Sequence, residues 1–363
     1  MNSLFKNRFS KKYLFRFLFT SLLIILNSNY SWAQFDSSYA IKYPDRLGLG
    51  IFQSRPSYQL NVNQKLNRDT TGFSKINYTT LAKNISGFGF FYDKISLFVG
   101  FKSPLDKSDR IRKGRTNYSQ IGLAITGIRL RLEASYKSYK GFYDLNSVNY
   151  IPNFSDTTSY FQNRDMANHT LKVKAFYFLN KKKRFSYGAA YVNNVRQLHS
   201  AGSFILAANL YKFNLNSPAI VPLIIQNYFN PWQSWNTFNV TAISLGIGYT
   251  HTFTILKRGF FNLLFTLGAE QQHVSSKSAN TNQVYNVWKM QLSAYDLRSS
   301  IGFNSKGFFI SLQNIIDGNN YRLPQFDVSN VYISTFLNLG YRFKVKTPTY
   351  YKKFQNTKLY KAI

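Results

Sequence analysis

Cysteine is absent from the 363 residues. There is therefore no disulfide framework, no thiolate metal site and no lipid-bearing N-terminal thiol. Such a chain is not a small disulfide-stapled secreted scaffold. Acidic residues are scarce: 14 Asp and Glu stand against 46 Lys and Arg, for a net charge of +32. Histidine occurs only as His169, His199, His251 and His273. No two of these are spaced i and i+2, which would put both rings on one face of a strand, so no metal pair is written here and no cofactor is expected. Long apolar runs are missing as well. The best of them, residues 17–26, falls well short of the about 20 residues a helix needs to cross a bilayer.

What is present in quantity is aromatic: 18% of the chain, with 34 Phe and 27 Tyr. Aromatic girdles at a bilayer surface use these residues. The hydrophobic fraction of 44% is too high for a largely disordered chain.

The N-terminus reads as an export signal. Lys6, Arg8, Lys11, Lys12 and Arg16 precede the 17–26 run, and no acidic residue occurs before position 34. Ser31-Trp32-Ala33 then places small residues where a signal peptidase reads, so cleavage is expected before Gln34. Removing the five signal charges leaves 41 basic residues against 14 acidic, a net +27 for the mature chain. An exported chain does not routinely meet nucleic acid. Its basic excess would instead face lipopolysaccharide phosphates, acidic glycans or an anionic solute, or sit solvated in loops.

Along the mature chain, apolar and polar residues alternate with a period of two. In 128–137, Ile-Arg-Leu-Arg-Leu-Glu-Ala-Ser-Tyr-Lys, one face is apolar and the other carries Arg129, Arg131, Glu133, Ser135 and Lys137. Similar stretches occur at 85–92, 94–101, 118–125, 169–179, 184–194, 203–213, 238–252, 258–271, 290–303, 306–314 and 331–344, with 46–63 interrupted or bent at Arg55-Pro56. A weak strand at 219–229, itself carrying Pro222, makes the turn parity consistent. The expected fold is all-β: a transmembrane antiparallel up-and-down β-barrel of about 14 strands, with 12 as the alternative. The domains are then 1–33 signal peptide, 34–45 mature N-terminal segment, 46–345 barrel, and 346–363 basic periplasmic tail. Both barrel ends of the chain would lie in the periplasm, with long loops such as 102–117, 138–168, 195–202 and 315–330 outside.

The parity assigns faces. Ile95, Leu97, Ile121, Leu123, Leu245, Ile247, Leu263, Phe265, Leu337 and Leu339 should face lipid. Arg129, Arg131, Glu133, Lys137, Lys172, Lys174, Ser244, Asn262, Glu270, Asp296, Arg298 and Arg342 should face the lumen. Each Arg or Lys moved to the lipid midplane would cost about 2–4 kcal/mol, so the register is well specified. The basic lumen either favours anions or braces itself through Glu133, Glu270 and Asp296. His199-Ser200 is the one Ser–His adjacency, but neighbours on a strand point to opposite faces, a poor arrangement for nucleophile and base. Arg112, Lys113 and Arg115 in the 102–117 loop could hold phosphates or be solvated. Trp232 and Trp235 suit a membrane interface or a sugar platform. The 338–345 segment, Asn-Leu-Gly-Tyr-Arg-Phe-Lys-Val, is similar to the terminal-strand signal read by barrel-insertion machinery.

Several short stretches also carry a resemblance: Tyr43-Pro44-Asp45, Arg115-Thr116, Tyr139-Lys140-Gly141-Phe142-Tyr143, Arg164-Asp165-Met166, Lys183 through Ala190, Arg196-Gln197, and Ser200 through Ser203. In this order they resemble the family named domain of unknown function 4421, outer-membrane proteins of Bacteroidota. The resemblance covers most of the mature chain and implies a location in a Gram-negative outer membrane, with lipid and lipopolysaccharide as surroundings. It implies no catalytic residue and no enzyme activity. Arg164, Asp165, Arg196, Gln197 and Ser200 are the motif positions to test first. The sequence thus supports a narrow pore or an envelope anchor, with a barrel enzyme acting on lipid or lipopolysaccharide as the alternative.

Overall fold

The computed structural model describes residues 36–363 apart from 66–72, 82–83, 103, 105, 280–283, 358–359 and 361–363. The expected signal peptide lies outside the described residues. The chain divides into two units, and 35–346 forms the barrel.

The wall is a ring of antiparallel strands. In chain order they are β2 (Arg46–Gln64), β3 (Lys75–Thr79), β4 (Ile85–Tyr92), β5 (Ile95–Lys102), β6 (Asn117–Thr126), β7 (Leu130–Asp144), β8 (Phe161–Phe178), β10 (Ala201–Asn216), β11 (Trp235–Ile255), β12 (Gly259–Ser278), β13 (Val284–Asn304), β14 (Phe308–Arg322) and β15 (Phe326–Lys344). Two short strands, β1 (Ala40–Lys42) and β9 (Val195–Gln197), pair with each other outside that ring. β15 pairs with β2 along its whole length, which closes the sheet into a ring. The barrel expectation stands.

The thirteen strands make twelve staves. β3 and β4 both run antiparallel to β2, β3 against 59–63 and β4 against 47–54, so they are two halves of one interrupted stave. Pro56 sits on β2 opposite the interruption. Having no N–H to donate, it belongs where a partner strand is broken. Two expected staves are not in the wall. Residues 219–229 contribute a 3-10 helix, Leu223–Phe229, with Pro222 at its N-cap. Residues 184–194 form a short helix, Tyr187–Tyr191, inside the barrel. The alternation in that stretch records packing on several sides rather than a sheet with two faces.

We call the end holding residues 45 and 345 the lower end. Turns 93–94, 127–129, 256–258 and 305–307 lie there, together with the long excursion 179–200. The stretch 195–202, expected as an outer loop, is therefore at the lower end. The second unit includes the helix Thr349–Gln355, where a tail without structure was expected.

The outward faces match the parity. Ile121 is 66% exposed, Ile247 70% and Leu263 44%, and Leu245, Phe265, Leu337 and Leu339 are exposed as well. Three layers fill the interior. The upper layer is an apolar cluster that includes Leu60, Tyr78, Phe142, Phe213, Phe229, Trp235 and Phe326. Trp232 and Trp235 belong to it, both buried, with Trp235 stacked on Phe326 at 5.2 Å. The membrane-interface placement of these tryptophans is thus corrected: the 217–234 loop folds inward and buries them. The lower layer is the excursion 179–200, whose core holds Phe185, Tyr187, Ala190, Tyr191 and Val192. Charged side chains occupy the level between.

Candidate functional site: the charged layer and the wall beside it

The middle layer is a network of ion pairs drawn from opposite walls. Arg298 on β13 donates to both carboxylate oxygens of Glu133 on β7, at 2.8 and 3.0 Å, and to both oxygens of Asp296 at 2.7 and 2.8 Å. Lys174 on β8 bridges Asp296 at 2.5 Å and Asp317 at 2.8 Å. Lys172 reaches Asp317 at 2.6 Å and Asn319 at 3.3 Å. Arg131 pairs with Glu133 at 2.5 Å and lies over the Tyr187 ring at 4.6 Å. Period-two parity on β7, β8 and β13 puts each of these on the inner face, and the small diameter of the barrel brings them into contact. Taking charges out of water is costly unless each finds a partner, and here nearly every one does.

Glu270 is buried nearby and forms no ion pair among the described residues. Its oxygens accept from Gln272 and Ser293 at 2.7 Å, and from Asn319 at 3.0 and 3.1 Å. Lys137 is the contrasting group. Among the described residues it makes no ion pair, and its ammonium lies 2.9 Å from the centre of the Tyr332 ring.

Two lumen assignments change. Arg129 is in the turn between β6 and β7, not on the inner face of a stave, because β7 begins at Leu130. Arg342 is buried on the inner side but serves the lower layer. It donates to the Asn193 carbonyl at 2.8 Å and the Ser305 carbonyl at 2.6 Å, and it packs over Tyr43 and Phe309. It clasps the 179–200 excursion and does not line open space.

The motif positions separate. Arg164 and Asp165 are exposed near the upper end of β8, where Asp165 pairs with Lys140 at 3.3 Å. Gln197 is buried in the lower layer, accepting from the Ser186 N–H and donating to the Tyr39, Arg184 and His199 carbonyls. Arg196 is half-buried beside it. Ser200 accepts from the Thr254 N–H at 3.0 Å, and the His199 ring packs on Tyr39. In the upper loop, Lys113 pairs with Asp109 at 3.0 Å, Arg112 lies 5.7 Å from the Tyr160 ring, and Arg115 is exposed.

Asp317, Tyr187 and Tyr332 escaped the sequence reading. Asp317 falls in 315–330, expected as loop, because β14 runs eight residues beyond 314, to Arg322. Continuing the parity of Ser311 and Gln313 would have placed it inward.

The wall beside this layer is incomplete. β5 and β6 pair only through Ile95–Ile125, Ser96–Ala124 and Leu97–Leu123. Above that point they part, although β5 stays paired with β4 and β6 with β7. Higher still the wall closes again, because β3 pairs directly with β7 at Tyr78–Asp144 and Thr79–Tyr143. Thr116 ties this upper joint, donating to the Gly141 carbonyl at 2.8 Å and accepting from the Leu81 N–H at 2.9 Å. Gly141 has φ +89°, and a Cβ there would stand 2.2 Å from the Arg115 carbonyl oxygen, so only glycine fits. Behind the opening lies a cavity of about 300 Å³ that reaches Arg131, Glu133, Lys137, Lys172, Lys174 and Arg298.

Many solved structures are similar to the chain, three outer-membrane proteins among them. Outer membrane protease OmpT from Escherichia coli is 9% identical, covering 83% of this chain and 98% of that one, with a TM-score of 0.36. The Pseudomonas putida toluene transporter TodX is 10% identical, covering 82% and 90%, at 0.27. The translocator domain of the autotransporter NalP from Neisseria meningitidis is 8% identical, covering 92% and 96%, at 0.29. No curated protein matches the sequence. The model of one family does match, over residues 34–343, and the chain belongs to that family, domain of unknown function DUF4421.

Proposed function

We propose that this protein is an integral outer-membrane barrel serving as an envelope anchor, and that it is not a through pore. The observation that carries this is the filling of the interior. An apolar cluster occupies the upper end, the 179–200 excursion the lower end, and paired charges the level between. An open aqueous lumen would leave its charged wall hydrated; here Asp296 and Arg298 are each only 3% exposed. The exposed apolar belt supports the membrane setting, since hydrocarbon accepts backbone only in helices or closed barrels. Lipid and lipopolysaccharide would surround that belt, and β15 would present the terminal signal to the insertion machinery. Of the two readings of the basic lumen, anion-favouring or self-bracing, the ion pairs support the bracing one.

The anchoring face is the lower rim. A concavity of about 430 Å³ there is lined by Lys42, Arg46, Arg196, Lys306 and Lys344, with Asp45 as its carboxylate. Such a surface suits an acidic envelope partner. The enzyme alternative has no comparable support, because the Ser200 hydroxyl is engaged with Thr254 and the His199 ring with Tyr39.

The test is planar-bilayer conductance of the purified, folded barrel. Silence under applied voltage is expected. Steady ion current would sink the anchor reading in favour of a pore.

A further inference from the structure

The parted strands present an anomaly in a membrane wall. Over 98–102 of β5 and 117–122 of β6, backbone edges face each other without pairing. At about 3.3 Å per residue the opening is up to roughly 17 Å tall. Unpaired strand edges are costly in hydrocarbon and occur there only where backbone lines a cavity. The exposure pattern agrees. Inner-face Phe98 is 39% exposed, and Gln120 and Gly100 are exposed too, although their parity points inward. Phe98, Gly100 and Gln120 line the cavity behind the opening.

The cavity behind the opening has two characters. Phe52, Phe98 and Phe336 form an apolar side, with Phe52 5.9 Å from Phe98 and 6.4 Å from Phe336. The other side is the charged layer. There the carboxylates of Glu133, Asp296 and Asp317 are already taken by Arg131, Arg298, Lys172 and Lys174. Lys137 is the cation left over: it lines the cavity and forms no ion pair among the described residues. The cavity therefore pairs an apolar slot that opens sideways with one cation, Lys137, that has no salt-bridge partner among the described residues.

We infer that this cavity is a binding site for a single-chain anionic amphiphile, a long-chain carboxylate, which enters from the bilayer through the gap between β5 and β6. The carboxylate sits on Lys137 and the alkyl chain lies along Phe52, Phe98 and Phe336 toward the opening. A cavity of this size with a few convergent polar groups fits a small ligand. Side entry needs no channel along the barrel axis, so the sealed ends do not obstruct it. The site rests on the membrane-embedded reading of the wall.

The experiment measures palmitate binding by the full-length mature barrel, both in detergent and reconstituted in phosphatidylcholine vesicles. Hexadecanol, with the same chain and no charge, is the control. Palmitate is expected to bind at least about ten-fold more tightly than hexadecanol, since a charge-assisted contact is lost with the neutral head. Lys137→Met should remove that preference and Lys137→Arg should keep it. Gly122→Leu should block entry: Gly122 lies at the opening with inward parity, and a Cβ there meets nothing nearer than the Ala134 carbonyl at 3.8 Å. Folding of each variant is checked by its heat-sensitive shift on gels. Absent binding, equal binding of hexadecanol, or palmitate binding unchanged in both Lys137→Met and Gly122→Leu would overturn the site. Loss of the membrane reading would show differently, as a protein that stays soluble without detergent and does not enter vesicles.

Discussion

Arg298 and Glu133 are 165 positions apart, yet two guanidinium nitrogens meet two carboxylate oxygens at 2.8 and 3.0 Å. The pair spans the interior from β13 to β7. Arg298 is also held by Asp296 at 2.7 Å and stacks over Phe176 at 4.9 Å. One side chain thus ties two walls of the barrel together.

Removing that guanidinium should be severe. Arg298→Met leaves Glu133 short of its main partner and Asp296 with Lys174 alone, both away from bulk water. Breaking a buried pair from one side costs roughly 3–5 kcal/mol. Urea unfolding of the barrel in detergent should show a fall of that order. Arg298→Lys should recover only part of it, because a point charge cannot make the two-nitrogen contact.

The outer belt makes a second prediction. Ile247 lies on β11 between Leu206 and Leu267 on the neighbouring strands, and it is 70% exposed. If that face meets hydrocarbon, Ile247→Arg should destabilise the barrel in vesicles by roughly 2–4 kcal/mol. The same substitution on a water-facing surface would cost little. Comparing folding yield in phosphatidylcholine vesicles with that of Ile247→Leu gives the answer. Equal yields would mean the belt does not contact lipid.

A third prediction concerns pH at the lower turn 93–94, outside the wall. Burial, with the Lys42 ammonium close by, holds the Lys94 ammonium down at about 8, against an ordinary value of 10.5. Between those two values the unfolded chain carries a proton that the folded chain has released. Stability should therefore rise as pH climbs from about 8 to 10.5, and should be insensitive to this group below that range. Lys94→Gln should flatten that part of the profile. A rise of the same size in the variant would mean another group is responsible.

How much of this was legible beforehand differs by element. β7 and β12 were readable because side-chain direction in a strand has a period of two, so facing follows from local order alone. That rule placed Arg131, Glu133, Lys172, Lys174, Asp296 and Arg298 inward, and Ile247 and Leu263 outward. It misread 184–194, where a helix buried on all sides shows the same hydrophobic mixture as a strand. It misplaced Trp235 for a related reason, since an aromatic residue beside a loop suits either a membrane surface or a core.

The sequence by itself determined a closed antiparallel wall, its apolar outer face and the identity of most charges inside it. Those features are set residue by residue along each strand. Tertiary structure alone decided that the 179–200 excursion and the 217–234 loop fill the two ends, and that Lys137 forms no ion pair among the described residues. It also decided that β5 and β6 part while β3 bridges to β7 above them. Each of these depends on contacts between residues far apart in the chain, and no local periodicity records which distant segment will come to rest against which.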